Sequence, residues 1–145
     1  MEITVRELRE GDISELSRIE EESFSMPWSA EAFRELLKRP YCTYLVALVD
    51  GKVAGCCGYT DSFHEATIDN VVVAPQFRNC GIAQVMLRKL MEQGAASGIE
   101  SYTLEVRVSN LAAIHIYEKL GFWSEGIRPG FYEKPVEDAM IMWKR

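Results

Sequence analysis

Apolar and polar positions along the chain change period several times, and each change marks an element. Ile3, Val5 and Leu8 suggest a short first strand. Ile13, Leu16 and Ile19 then recur at helical spacing behind Asp12, a residue type that caps helix starts, so a helix to about Glu22 is predicted. Ser25-Met26-Pro27-Trp28 interrupts it. A second helix begins at Ser29, with Glu31 and Glu35 toward its start and Lys38 and Arg39 at its end, the order that suits the helix dipole, and Pro40 stops it. Thr43–Val49 and Lys52–Thr60 read as strands joined by Asp50-Gly51, a hairpin signal. A turn near Asp61–His64 leads to a third strand, Ala66–Val73, so the centre is an antiparallel meander that Pro75 ends.

Beyond Arg78 the period becomes helical again. Ile82, Met86 and Leu90, flanked by Leu87 and Met91, predict an amphipathic helix to about Ala95, closed by Gly98. Ser101–Val108 alternates, with Tyr102, Leu104, Val106 and Val108 on one face and Thr103, Glu105 and Arg107 on the other. Ser109-Asn110 caps a helix through Lys119, and Gly121 suits the position just past its end. Phe122–Gly126 and Ala139–Trp143 read as the last two strands. The order β-α-α-β-β-β-α-β-α-β-β implies a mixed α/β sheet with helices on its faces.

Composition narrows the function classes. The 145 residues suit one domain, residues 1–145, and 48% hydrophobic with 26% charged residues describes a soluble globular chain. Sixteen basic against twenty-two acidic residues, a net charge of −6, speak against a general nucleic-acid binder. No apolar run reaches the length of a membrane span, and Met1–Glu10 carries charges where a signal peptide has an apolar core. Cys42, Cys56, Cys57 and Cys80 form no C-x-x-C pair, so a metal site has no support, and free thiols in a reducing cytoplasm are expected.

One segment carries chemistry. Val71-Val72-Val73-Ala74-Pro75-Gln76-Phe77-Arg78-Asn79-Cys80-Gly81-Ile82-Ala83 runs from a strand through a tight loop into a helix. Such a helix start has unpaired N–H groups and a partial positive charge, suited to phosphate oxygens. Gly81 lets backbone approach a ligand, and Arg78 can add a charged contact. The same residues are also compatible with an ordinary strand-to-helix turn. They form neither a Walker A motif nor a dinucleotide fingerprint.

Arg78-x-x-Gly81-x-Ala83 resembles the acyl-CoA pyrophosphate loop of the Gcn5-related N-acetyltransferases, and the element order resembles that fold over essentially the whole chain. Leu104-Glu105-Val106-Arg107-x-Ser109-Asn110-x-x-Ala113-Ile114-x-x-Tyr117-x-x-x-Gly121-Phe122 resembles the RimI branch of that family, whose members acetylate protein N-termini. The resemblance implies a mostly antiparallel seven-stranded sheet flanked by about four helices, acetyl-CoA as cosubstrate, no metal, and a protein N-terminus as acceptor. In bacteria that acceptor is the N-terminal alanine of small-subunit ribosomal protein eighteen. It also implies that the backbone of Val71, Val72 and Val73 binds the pantetheine and thioester. Arg78, Asn79, Cys80, Gly81, Ile82 and Ala83 surround the pyrophosphate, with Gln84 at its border, and Asn110 meets the pantetheine arm. Glu105 corresponds to the general base and Tyr117 to the general acid, and Gly126–Glu137 would form a loop by the peptide groove, where Tyr132 can contact the incoming N-terminus.

Each of these residues has a plainer role open to it: Glu105 as a solvated strand residue, Tyr117 in the core, Asn110 as a cap, Tyr132 in surface packing. The chain departs from the loop Gln-Arg-Arg-Gly-x-Gly of many relatives at Asn79, Cys80 and Ala83, which leaves Arg78 as the basic side chain near the diphosphate. The same fold serves acetylation of lysine, polyamines or antibiotics, and a non-catalytic acyl-CoA sensor is the alternative of another class.

Overall fold

Seven strands and four helices account for the pattern in a computed structural model that describes residues 1–145. The strands are β1 (Ile3–Glu7), β2 (Cys42–Val49), β3 (Lys52–Ser62), β4 (Glu65–Val73), β5 (Ser101–Arg107), β6 (Trp123–Tyr132) and β7 (Glu137–Lys144). They form one sheet in the order β1-β2-β3-β4-β5-β7-β6. Every neighbouring pair is antiparallel except β4–β5. The helices are α1 (Ile13–Ser23), α2 (Ala30–Leu37), α3 (Ile82–Ala96) and α4 (Leu111–Lys119). None of them is long and apolar enough to cross a membrane.

The sheet separates two cores. On one face α3 and α4 bury Ile82, Met86, Leu87, Leu90, Ile114 and Tyr117 against Leu104 and Val106 of β5 and their neighbours. On the other, α1 and α2 bury Ile13, Leu16, Ile19 and Phe33 against Tyr44, Val46, Cys56 and Val72. Alternation along the strands serves both faces, which is why β2 and β3 are apolar almost throughout.

Local signals explain most boundaries. Asp50 and Gly51 take φ of +49° and +83°, the left-handed pair a two-residue hairpin requires. Ser29 Oγ accepts the Ala32 N–H at 3.1 Å and starts α2. At the end of α4, the Phe122 N–H reaches the Tyr117 carbonyl and the Gly121 N–H the Glu118 carbonyl, each at 3.0 Å. Gly121 has φ +96°, and the Tyr117 and Phe122 rings pack at 5.9 Å. These are the two bonds and the apolar contact of a Schellman motif.

Three expectations are corrected. Asp12 does not cap α1. Its backbone is helical, and its carboxylate takes both Arg6 guanidinium nitrogens, at 2.8 and 2.9 Å, and the Arg9 N–H at 2.9 Å. The β3–β4 turn is shorter than Asp61–His64. The strands run to Ser62 and from Glu65, Phe63 and His64 turn with positive φ, and Asp61 accepts the His64 N–H at 2.9 Å. Finally, 126–137 is not a loop: β6 continues to Tyr132 and β7 begins at Glu137. β6 is an exposed edge strand with two register shifts, and Gly126, Pro129 and Gly130 lie within it, so no alternation reports it.

Candidate functional site

The site begins where two strands part. β4 and β5 pair only through Glu65↔Ser101, Ala66↔Tyr102 and Thr67↔Thr103. Beyond that point the strands are unpaired, so the β4 edge facing β5 carries backbone groups without a sheet partner. A bulge in β4 coincides with the parting: Gly58 faces Asn70 and Tyr59 faces Ile68, leaving Asp69 as the extra residue. The bulge reverses the parity of the strand. Ala66 and Ile68 pack with the α3 core before it, as do Val71 and Val73 after it.

On the α1–α2 face, a cavity of about 440 Å³ opens over the parting, lined by Trp28, Leu36, Thr60, Asp69, Glu105 and Tyr132 among others. Glu105 Oε2 is buried and has no hydrogen-bond partner; its nearest cation, Arg128 Nη1, is 3.8 Å away. Tyr132, at the end of β6, is held by the Arg107 guanidinium 4.5 Å above its ring. Arg107 also donates to the Pro135 and Glu133 carbonyls and to Glu137, at 2.9, 3.0 and 3.1 Å, and so ties the β6–β7 turn to β5. Burial, followed by the negative charge of Glu105, holds the Tyr132 phenol above its ordinary pKa. Asp69 is open to the cavity but crowded by protein. That crowding raises its carboxyl, against the Thr60 hydroxyl that donates to it at 2.7 Å.

Tyr117 approaches from the opposite face. It lies in the α3–α4 core, and its hydroxyl is pushed well above the ordinary phenol value by burial, then by Cys57 and Tyr132. The Schellman motif fixes its backbone carbonyl and the Phe122 contact fixes its ring. Glu105 and Tyr117 therefore lie on opposite faces of the sheet.

The loop before α3 offers a second surface. Asn79 and Gly81 take φ of +63° and +76°, and a Cβ on Gly81 would meet nothing within 4 Å, so the backbone there is open. No side chain caps α3, and its first backbone acceptor, the Gly81 carbonyl, serves Val85. The N–H groups of Ile82, Ala83 and Gln84 thus lack intrahelical partners, the donor set a diphosphate needs. The Ile82 side chain is buried, so it offers only backbone. Cys80 is exposed, its Sγ 3.5 Å from the Arg78 carbonyl. Arg78 is partly engaged, donating to the Val73 carbonyl and Ser23 Oγ, both at 3.1 Å, so it braces the end of β4 against α1. Val72 faces the α1–α2 core while Val71 and Val73 face α3, and their backbone borders the parting. Asn110 Oδ1 caps α4 by accepting the Ala113 N–H at 3.2 Å, which leaves its amide N–H groups for other contacts.

Sequence reasoning passed over Asp69, Thr60, Arg107 and the buried Glu20. Glu20 accepts the Trp28 N–H and the Asn70 amide, both at 2.9 Å, and so fixes one wall of the cavity and the bulge together. The available signal was Asp69-Asn70 itself, two polar residues in succession within an apolar strand.

Known proteins share this arrangement. The sequence profile of the Acetyltransferase (GNAT) family matches residues 13–122. A Bacillus subtilis relative, named provisionally as a ribosomal protein bS18-alanine N-acetyltransferase, is 39% identical over 96% of this chain and 93% of its own. The Escherichia coli enzyme of that name is 32% identical over 96% and 95%. The crystal structure of the Escherichia coli ribosomal-protein-S18-alanine N-acetyltransferase superposes with a TM-score of 0.90 at 30% identity, covering 98% of this chain and 92% of that one. Ard1 from Thermoplasma volcanium gives 0.91 at 26%, covering 99% and 97%. The profile and the relatives show the family: the chain belongs to the GNAT family and is an acetyl-CoA-dependent N-acetyltransferase.

Proposed function

We propose that this enzyme acetylates the α-amino group of the N-terminal alanine of ribosomal protein bS18, a cytoplasmic substrate. The observation that carries the reading is Glu105, whose buried carboxylate oxygen has no hydrogen-bond partner on the wall of a cavity at the β4–β5 parting, with Tyr117 on the other face of the sheet. The names of the Bacillus and Escherichia relatives point the same way.

Bound acetyl-CoA supplies the acetyl group as an activated thioester. The residues present fit it. The Ile82, Ala83 and Gln84 N–H groups, with the open backbone of Asn79, Cys80 and Gly81, receive the diphosphate, and Arg78 holds that loop to β4. The amide of Asn110 meets the pantetheine. The unpaired edge of β4 at Val71–Val73 presents backbone N–H groups to the acetyl carbonyl, donors fixed before charge develops there.

An α-amino group has a reference pKa near 8, so it arrives mostly as ammonium at pH 7. Glu105, directly or through a water, takes its proton. Tyr117, like any phenol, is protonated at neutral pH, burial strengthens that, and it supplies this proton to the departing thiolate. Tyr132 and the β6–β7 turn, strapped down by Arg107, border the incoming chain end.

The test mixes the enzyme and acetyl-CoA with a peptide of the bS18 N-terminus, the same peptide N-terminally blocked but carrying a lysine, and spermidine. Mass spectrometry is expected to find acetyl on the free alanine. Transfer confined to lysine or spermidine would overturn the assignment.

A further inference from the structure

Asp69 and Glu105 occupy equivalent places on the two parted strands. Each lies two residues beyond the last paired positions, Thr67 and Thr103, and both side chains line the α1–α2 cavity. The bulge makes this possible, because it lets Asn70 turn to the same side and bind Glu20 while Asp69 keeps the cavity. One Asp69 oxygen, Oδ2, accepts the Thr60 hydroxyl at 2.7 Å. The Tyr44 hydroxyl is buried beside the same carboxylate and, like that of Thr60, favours its charged form. Its ring rests over Gly58, where any Cβ would come within 2.2 Å of it.

Asp69 has no cation of its own. None of the chain's ion pairs includes it, whereas Glu105 has Arg128 at 3.8 Å. Arg39 lines the same cavity without pairing to it. A carboxylate held by a neighbouring strand, facing a cavity and lacking a protein cation calls for a cation from the ligand. We propose that Asp69 accepts a hydrogen bond from the incoming α-ammonium and positions it between the two strands, a substrate-positioning role distinct from proton removal by Glu105. This rests on the N-terminal acetyltransferase reading above. An ammonium has three N–H bonds, so one can stay on Asp69 while another points to Glu105. After transfer the nitrogen is a neutral amide, the charge pairing with Asp69 is gone, and the product leaves more readily.

Binding to the CoA-loaded enzyme tests this without turnover. Three peptides differ only at the first residue: alanine with a free amine, its des-amino counterpart, and acetyl-alanine. In the wild type the amine should bind about tenfold or more tighter than the des-amino peptide, the size of a charged hydrogen bond. Asp69→Asn should bring that ratio to within about twofold and leave the des-amino affinity unchanged. Glu105→Gln should keep most of the preference, and its loss there would overturn the proposal even if Asp69→Asn fails to fold. A wild type with no preference, an Asp69→Asn enzyme that keeps it or weakens both peptides equally, or a preference lost only in Glu105→Gln would overturn the proposal. A wild type that acetylates no N-terminus would instead overturn the reading beneath it.

Discussion

Glu20 is a fully buried carboxylate whose two hydrogen bonds hold the Trp28 segment and the β4 bulge, so its removal is expected to loosen the cavity from behind. Glu20→Ala strands the Trp28 N–H and the Asn70 amide in the α1–α2 core. At about 1–3 kcal/mol for each unsatisfied buried group, the loss is about 2–6 kcal/mol. That is a large part of the ~5–15 kcal/mol that holds a domain together. At about 2–4 °C per kcal/mol, Tm should fall by roughly 10 °C. Glu20→Gln keeps an acceptor for Trp28, and Asn70 can turn its amide to present oxygen, so its shape cost is small.

The two variants also separate charge from contact. Burial holds the Glu20 carboxyl above the ordinary carboxylate range, and its two hydrogen bonds pull it down only in part. The native state therefore binds this proton more tightly than the unfolded chain does. Stability from this group falls as pH rises from the unfolded value near 4.5 through the folded one. Thermal unfolding followed by circular dichroism across pH 4 to 8 should show the Tm of Glu20→Gln gaining on the wild type as pH rises. A Glu20→Ala protein that melts within 2–3 °C of wild type, or a wild-type-to-Gln difference flat with pH, would refute the reasoning.

Three further outcomes follow from the site. Glu105→Gln should lower kcat by about 10²–10⁴ while CoA affinity measured by calorimetry stays the same, with the deficit smallest at high pH, where the amine arrives neutral. Tyr117→Phe keeps the ring against Phe122, so Tm should stay within about 3 °C while kcat drops by about 10²-fold in steady-state assays. Gly58→Ala places a methyl 2.2 Å from the Tyr44 ring, which packs 5.9 Å from Trp28. Overpacking of about 1–3 kcal/mol should lower Tm and raise KM for the peptide but not for acetyl-CoA, as substrate titrations would show.

What the chain discloses locally, it discloses well. The Asp50-Gly51 hairpin, the Ser29 cap, the α3 stripe and the α4 ending at Gly121 are each written in a few adjacent residues, and each stands where its chemistry requires. Asp12 shows the limit of such reading, because a cap residue next to a helix can be claimed by a partner that sequence order does not announce, here Arg6. Arg78 is similar: its place in the loop is legible, but its bonds to the Val73 carbonyl and Ser23 depend on how α1 lies against β4. β6 escaped because an edge strand exposed on both sides has no alternation to show.

Asp69 escaped for a different reason, and it is the reason the site works. Its partner across the cavity, Glu105, becomes its partner only because β4 and β5 lie side by side, start in register at Glu65 and Ser101, and then part. A parallel pair joined through α3 leaves no local trace of its register. The bulge that frees Asp69 is visible only as two polar residues in an apolar run, which a strand face and a turn would explain equally well. Parted strands expose unpaired backbone, and exposed backbone in a cleft is costly unless a ligand or water satisfies it. The defect in the sheet therefore calls for an extended ligand along β4, and the carboxylates on either side of it decide which end of a second ligand can approach. On this fold the sheet's failure to close supplies the chemistry, while the well-formed helices and hairpins around it keep that failure in place.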